Sequence, residues 1–199
     1  MQKPHPRVRL FAFPGMDRAL NSDSYDFREV AMRPPIHIRR AMPGDRSAVT
    51  QLFRKSYPQL LPDDYSAPTL RAVLPHITTA QPGLLACGTY YLAQDDQGAV
   101  IGAGGWTDVS PARGVSREGE GHIRHVATHP SHLRRGIARD LIEHSLSAAR
   151  DFGLNRMHCM STLTARPFYE EMGFEAVGEI ELTLAPGVHF PAVQMISEI

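Results

Sequence analysis

The sequence predicts an α/β domain: a mixed, mainly antiparallel sheet flanked by helices, with one central parallel βαβ unit. Three stretches predict it. Apolar residues at Ile137, Leu141, Ile142, Ala148, Ala149 and Phe152 recur at helical spacing between two strand-like runs. Upstream, Thr89–Gln94 and Ala99–Val109 flank the turn Asp95-Asp96-Gln97-Gly98, which reads as a hairpin. Near the end, Glu179–Leu184 and Ala192–Ser197 form a second antiparallel pair around Pro186-Gly187. Strands and helices in this order make a layered sheet with one crossover helix.

Residues 1–34 stand apart from that pattern. They mix Pro, Arg and Asp with isolated aromatics and show no sustained period, so a flexible N-terminal extension is expected there. The alternative is an ordered arm covering a sheet edge. Residues 35–199 form the expected domain. Ile36–Arg40 alternates as a first strand. Asp45 is the expected N-cap of a helix that buries Val49, Leu52 and Phe53. Tyr57 to Pro68 reads as a Pro-rich break, and a second helix spans Thr69–Ile77. Gly102, Gly104 and Gly105 lie inside a strand, where glycine marks a bulge or a close backbone approach.

The polar loop Ser110–Gly119 leads to a strand beginning near Glu120. Beyond Pro130 a helix starts close to Arg135 and Gly136, and Gly153 suits its C-cap. Arg156–Met160 is expected to run parallel to the preceding strand, and Ala165–Met172 is a short helix ending at Gly173.

Composition narrows the function. Lys plus Arg and Asp plus Glu number 21 each, so the chain lacks the global field that nucleic-acid binders use. Aromatics do not interleave with its one basic patch, and no nucleic-acid partner is expected. No run of about 18 apolar residues exists, which argues against a spanning helix. Cys87 and Cys159 lack a pairing or CxxC signal. With no apolar signal-peptide core at the start, a cytoplasmic location is the expectation.

The helix start at Gly136 makes an anion site. Its first N–H groups lack intrahelical acceptors, and the macrodipole adds positive charge there. Gly136 and Ala138 are small, and Arg134, Arg135 and Arg139 surround them. A phosphate-bearing ligand fits. It is not a Walker loop, which needs Gly-Lys-Ser/Thr, nor a dinucleotide turn, which needs three spaced glycines.

Leu133-Arg-Arg-Gly-Ile-Ala138 instead resembles the coenzyme A signature of the GNAT superfamily of N-acetyltransferases, Gln/Arg-x-x-Gly-x-Gly/Ala, with Leu133 replacing the usual Gln or Arg. Thr162-Leu-Thr-Ala-Arg-Pro-Phe-Tyr-Glu-Glu-Met-Gly-Phe174 resembles the block in that family ending Phe-Tyr-x-x-x-Gly-Phe. The two motifs together cover a resemblance from Ile36 to Ile199.

This resemblance implies acetyl-CoA as cosubstrate, with no metal, and transfer to a primary amine of a small molecule or peptide. A non-catalytic acyl-CoA-binding or sensor module of the same fold is the rival. It implies that Val126, Ala127 and Thr128 meet the thioester end. Leu133, Arg134, Arg135, Gly136, Ile137, Ala138 and Arg139 would hold the phosphates, with Thr162 and Ala165 nearby; relatives often carry Asn at the place of Thr162. The family's frequent general acid falls on Tyr169. His122 stands where some relatives place a Glu that deprotonates the amine, and a histidine titrates near neutrality. Glu120 shares its strand face by the period of two and is next in line as base. Relatives often dimerise, which carries a homodimer as an expectation.

Four histidines at 122, 125, 129 and 132 raise a zinc reading. Odd spacing in a strand would turn His122 and His125 to opposite faces, which argues against it. Asp63, Asp64 and Asp108 read first as solvated loop acids, with an amine pocket lined from neighbouring loops as the alternative.

Overall fold

The sheet has seven strands in the order β1-β2-β3-β4-β5-β7-β6, and only the β4–β5 neighbours run parallel. A computed structural model describes residues 35–199; the extension expected over 1–34 lies outside the described residues. The elements are β1 (His37–Arg40), α1 (Arg46–Leu60), α2 (Ala67–Ile77), α3 (Pro82–Ala86), β2 (Tyr90–Gln94), β3 (Val100–Thr107) and β4 (Glu120–Thr128). They continue as α4 (Ile137–Phe152), β5 (Arg156–Ser161), α5 (Arg166–Glu171), β6 (Glu175–Ala185) and β7 (Val188–Glu198). The α/β class with a mixed, mainly antiparallel sheet and a central βαβ unit, β4-α4-β5, is as expected.

Helices cover both faces. On one, α4 buries Ile137, Leu141, Ile142 and Leu146 against Ile123 and Met157. Each fully buried Leu or Ile contributes about 1.5–3 kcal/mol of transfer free energy. Phe152 does not join that stripe: it is 64% exposed and meets Trp106 edge-on. On the other face, α1 buries Val49, Leu52 and Phe53 against Tyr90, Leu92 and Ala127, and α2 packs with Tyr65 and Phe190. Gly102 lets α4 approach β3, since a Cβ there would lie 2.5 Å from Ile137 Cγ2. Among the described residues no helix is long and apolar enough to cross a membrane.

Four local expectations are corrected. Asp45 does not cap α1 with its side chain; the chain enters the helix through a 3-10 turn, Pro43–Asp45. Its carboxylate instead accepts from Met42 N–H at 2.7 Å and from both Nη atoms of Arg39, and the Arg39 guanidinium holds it below the usual carboxylate range. The break expected over Tyr57–Pro68 is present but shorter, Leu61 to Ser66, because α1 runs through Pro58 to Leu60 and α2 starts at Ala67. Pro58 and Arg54 are both exposed, so water can serve the helix carbonyl that Pro58 leaves without a donor. The five-residue α3 was not foreseen. β3 stops at Thr107, and an isolated Val109–Ser116 bridge closes the following loop. The final hairpin, β6–β7, is longer than its sequence pattern indicates.

Candidate acyl-transfer site

The parallel ladder between β4 and β5 is short. It pairs Glu120 with Arg156, Gly121 with Met157 and His122 with His158, and then ends. From Ile123 to Thr128, the β4 edge facing β5 has no ladder partner. On its other edge, His129 N–H donates to Ile101 O of β3 at 2.8 Å. Alternation back along the strand turns the N–H groups of Thr128 and Val126 toward the split.

A bulge sets the local geometry. Gly105 pairs with Arg124 and Ala103 with Ala127, so two β4 residues, His125 and Val126, oppose Gly104 alone. His125 takes φ +40°, its ring stacks on Phe53, and its carbonyl accepts from Tyr90 Oη at 2.7 Å. The extra residue corrects the expectation about faces: His122 and His125 both lie on the α1 side. Their rings do not converge, because His122 stacks on His158 while His125 stacks on Phe53. Among the described residues no three His, Cys, Asp or Glu side chains gather as a metal would need.

Past β4, a 3-10 turn over Pro130–His132 leads into α4. Ser131 Oγ lies 2.8 Å from His129 Nδ1 and 2.9 Å from His132 Nδ1, fixing the turn. Arg134 and Gly136 take φ +60° and +76°, and the first helical bond runs from Asp140 N–H to Gly136 O. The N–H groups of Ile137, Ala138 and Arg139 therefore open the helix without intrahelical acceptors. Arg134 and Arg135 are exposed, whereas Ile137 is buried beneath the turn. Leu133 is 39% exposed and carries no polar group for a ligand. Arg139 faces carboxylates, Glu143 at 4.0 Å and Glu171 at 3.7 Å. Cationic side chains and free N–H groups thus share one turn, and their chemistry fits a pyrophosphate.

Tyr169 rises from α5 and is 5% exposed. It packs edge-on against Phe174, and its hydroxyl lies beside the Cys159 thiol of β5. Burial pushes the phenol well above its ordinary range, with further upward contributions from Cys159, Tyr57 and Tyr90. Cys159 is the first β5 residue past the His122–His158 pair, so Tyr169 packs beside the split, within the α4-side core. Thr162 Oγ1 accepts from Ala165 N–H at 3.2 Å, and Ala165 precedes the first turn of α5.

Opposite α4, the lower end of the sheet forms an open floor. His122 pairs across with Thr107 on one side and His158 on the other, and His158 with Ile196; all four are half-buried. His158 Nε2 lies 3.1 Å from Glu120 Oε2. Burial, reinforced by neighbouring His158, pushes His122 down to about 4. The ring is unprotonated at neutral pH, which corrects the expectation of titration near neutrality.

Sequence reasoning missed His158. The parallel register that sets it beside His122 is a tertiary fact, although Arg156–Met160 was expected to run parallel. It also missed Tyr90 beneath the bulge, and Tyr65, whose hydroxyl donates to Pro191 O and accepts from Leu163 N–H, each at 2.8 Å.

The family model for the acetyltransferase (GNAT) family matches residues 47–174. That span includes the bulge, the α4 turn and Tyr169. The chain belongs to the acetyltransferase (GNAT) family. A GCN5-related N-acetyltransferase from Rhodopseudomonas palustris superposes with a TM-score of 0.66 at 18% identity, covering 83% of this chain and 96% of that one. The PaiA N-acetyltransferase from Thermoplasma acidophilum, solved in complex with coenzyme A, gives 0.64 at 12% identity, covering 83% and 99%. N-acetylglutamate synthase from Neisseria gonorrhoeae, complexed with coenzyme A and N-acetyl-glutamate, gives 0.55 at 20% identity, covering 82% of this chain but 35% of that one. At these identities the likeness shows the fold. No curated protein matches the chain with significant sequence similarity. Membership in the GNAT family assigns acetyl-transfer chemistry in general and leaves the acceptor open.

Proposed function

We propose that this GNAT chain is an acetyl-CoA-dependent N-acetyltransferase acting on a primary amine of a small molecule or peptide. One observation carries the reading: the unpartnered edge of β4, the Tyr169 hydroxyl and the α4 turn all border one split. The α4 N–H groups, with Arg134 and Arg135, would hold the pyrophosphate. Acetyl-CoA, when bound, supplies an acyl thioester. The N–H groups of Val126 and Thr128 are aimed to stabilise negative charge on its carbonyl oxygen.

Transfer forms one C–N bond and breaks one C–S bond. The amine loses a proton, and the departing thiolate gains one. Tyr169, kept protonated by burial, holds the proton destined for sulfur. Neutral His122 accepts a hydrogen bond from the amine and orients it. Glu120, bonded to His158, is the carboxylate two residues back that can take the proton.

The test is a panel of amines assayed for acetyl-CoA-dependent release of free thiol. Release that depends on the amine, with an acetylated product of matching mass, is expected. Binding of acetyl-CoA without release for any amine would replace the catalytic reading with acyl-CoA binding alone.

A further inference from the structure

Arg124 is the cation that the acetyl-transfer scheme leaves without work. It sits on β4 two residues beyond His122 and on the same face, half-buried, at the position paired with Gly105. Its side chain folds back one row: Nη1 donates to Thr107 Oγ1 at 3.0 Å, and Thr107 is the ladder partner of His122. The guanidinium therefore lies at the level of the His122 ring. No carboxylate stands within ion-pair distance of it among the described residues, and Nε and Nη2 donate to no group there. Every other ion pair of this floor is closed. Glu120 is shared by His158 at 3.1 Å and Arg156 at 4.0 Å, and Arg156 also holds Glu198 at 2.6 Å.

A half-buried guanidinium without a counter-charge is costly to keep, because desolvation is not offset by pairing. Burial lowers its pKa accordingly. After burial and His158, the charges of Arg124 and Arg113 oppose protonation of His122, while Glu120 acts the other way. Glu120 already has His158 and Arg156 as partners, whereas the guanidinium of Arg124 has no counter-charge among the described residues, so it favours an acceptor bringing its own negative group. Residues two apart on one strand face are separated by about 7 Å at Cα, and the fold-back of Arg124 shortens that further. The gap suits an amine and an anion separated by very few carbons.

We infer that the acceptor is a carboxylate-bearing primary amine of amino-acid type, its carboxylate held by the open fork of Arg124 and its amine directed at His122. The inference rests on the acetyl-transfer reading and specifies its substrate class. A bidentate guanidinium–carboxylate pair supplies both energy and orientation. It lies on the α1 face, away from the α4 turn assigned to the coenzyme.

The experiment uses matched pairs differing only in the carboxylate: L-phenylalanine with phenethylamine, L-tyrosine with tyramine, L-histidine with histamine. Thiol release by the full chain should favour the carboxylate-bearing member of at least one pair by about 10–10²-fold in kcat/KM, the scale of a hydrogen-bonded contact to a charged group. Arg124→Gln should raise KM for that amino acid with kcat nearly unchanged, and should leave the carboxylate-free amines as they were. Arg124→Lys should recover part of the loss. An unaltered acetyl-CoA-induced melting shift in both variants shows that fold and coenzyme site are intact. Preference for the carboxylate-free members, or an equal loss for both sets in Arg124→Gln, overturns the inference while acetyl transfer stands. If no amine releases thiol, equilibrium binding of the same amino acids with coenzyme A present decides it. Binding that Arg124→Gln abolishes sustains the carboxylate site without catalysis, and absence of binding sinks it.

Discussion

On the α4 side of the sheet, the candidate coenzyme turn consists of six consecutive residues, Leu133 to Ala138. On the α1 side, the candidate acceptor floor draws Thr107, Glu120, His122, Arg124 and His158 from three strands. The turn offers mainly backbone: the N–H groups that open α4 and the positive-φ residues Arg134 and Gly136. The floor offers side chains, with a stacked histidine pair and a guanidinium anchored on Thr107. Backbone sites tolerate changes of side chain, so a coenzyme held there would not depend on a polar group at Leu133. Side-chain sites change specificity with single substitutions. Between the two lies the β4–β5 split, and Tyr169 packs beside it.

The largest effect is therefore expected at the split. Tyr169→Phe keeps the ring packing against Phe174 but removes the hydroxyl. Turnover should fall by about 10²–10⁴-fold with acetyl-CoA affinity nearly constant. Unaltered turnover, with the chemical step shown to limit the rate, would remove Tyr169 from the acid role.

Gly136→Asp attacks the backbone side alone. It forces a side chain into φ +76° and places a carboxylate where the phosphates would lie. The melting shift that acetyl-CoA gives the parent by linkage should vanish in the folded variant. A surviving shift would move the phosphate site away from α4.

How far each side was legible in the sequence follows from the same contrast. Gly136 and its neighbours form a contiguous motif whose turn chemistry is local, and Gly153 terminates α4 in the left-handed conformation that its composition indicates. The short helix that carries Tyr169 was legible for the same reason. His158 joins His122 only through parallel pairing across 36 positions, and Arg124 joins Thr107 only through the hairpin of β3 and β4. The bulge at His125 was invisible too: strict alternation predicts opposite faces for His122 and His125, and one extra residue cancels it. Pro58 misled in another way, since a proline on the wet face of α1 removes one hydrogen bond without ending the helix.

On the acceptor side, His122→Gln sharpens the assignment of the base. With His122 held down to about 4, protonating it should slow the parent only as pH falls toward that value. An acidic limb nearer neutrality then belongs to a group other than His122, such as the amine itself. His122→Gln should leave such a limb in place while raising KM for the amine, and Glu120→Gln should lower kcat. Loss of that limb in His122→Gln would return the base role to His122.

The bulge contributes a stability signature of its own. His125 is also pushed down to about 4 by burial, from an ordinary 6.5. Its folded value lies below its unfolded one, so the unfolded chain takes up the proton first as pH falls. The associated stability is complete above about 6.5 and is lost progressively toward 4, with a slope of at most about 1.4 kcal/mol per pH unit for each such group. Unfolding midpoints measured across that window should show the decline. His125→Asn, which tolerates positive φ, should be less stable at neutral pH and decline less steeply.

The smallest effect is expected at Arg139, and it tests whether the coenzyme side depends on backbone or on side-chain charge. Its guanidinium is about half exposed and meets Glu143 and Glu171 at 4.0 and 3.7 Å, both exposed as well. Surface pairs of this kind contribute about 0.2–1 kcal/mol at most, so Arg139→Gln should move the melting temperature little. Its positive charge opposes the macrodipole at the start of α4, which offsets part of that small gain. For acetyl-CoA, the lost charge should weaken binding by about threefold at low salt and less at high salt, because exposed charges are screened. A loss comparable with that of Gly136→Asp would mean that Arg139 leaves its carboxylates to grip the phosphates directly. The coenzyme side would then be a side-chain site like the acceptor floor, and the contrast between the two would fail.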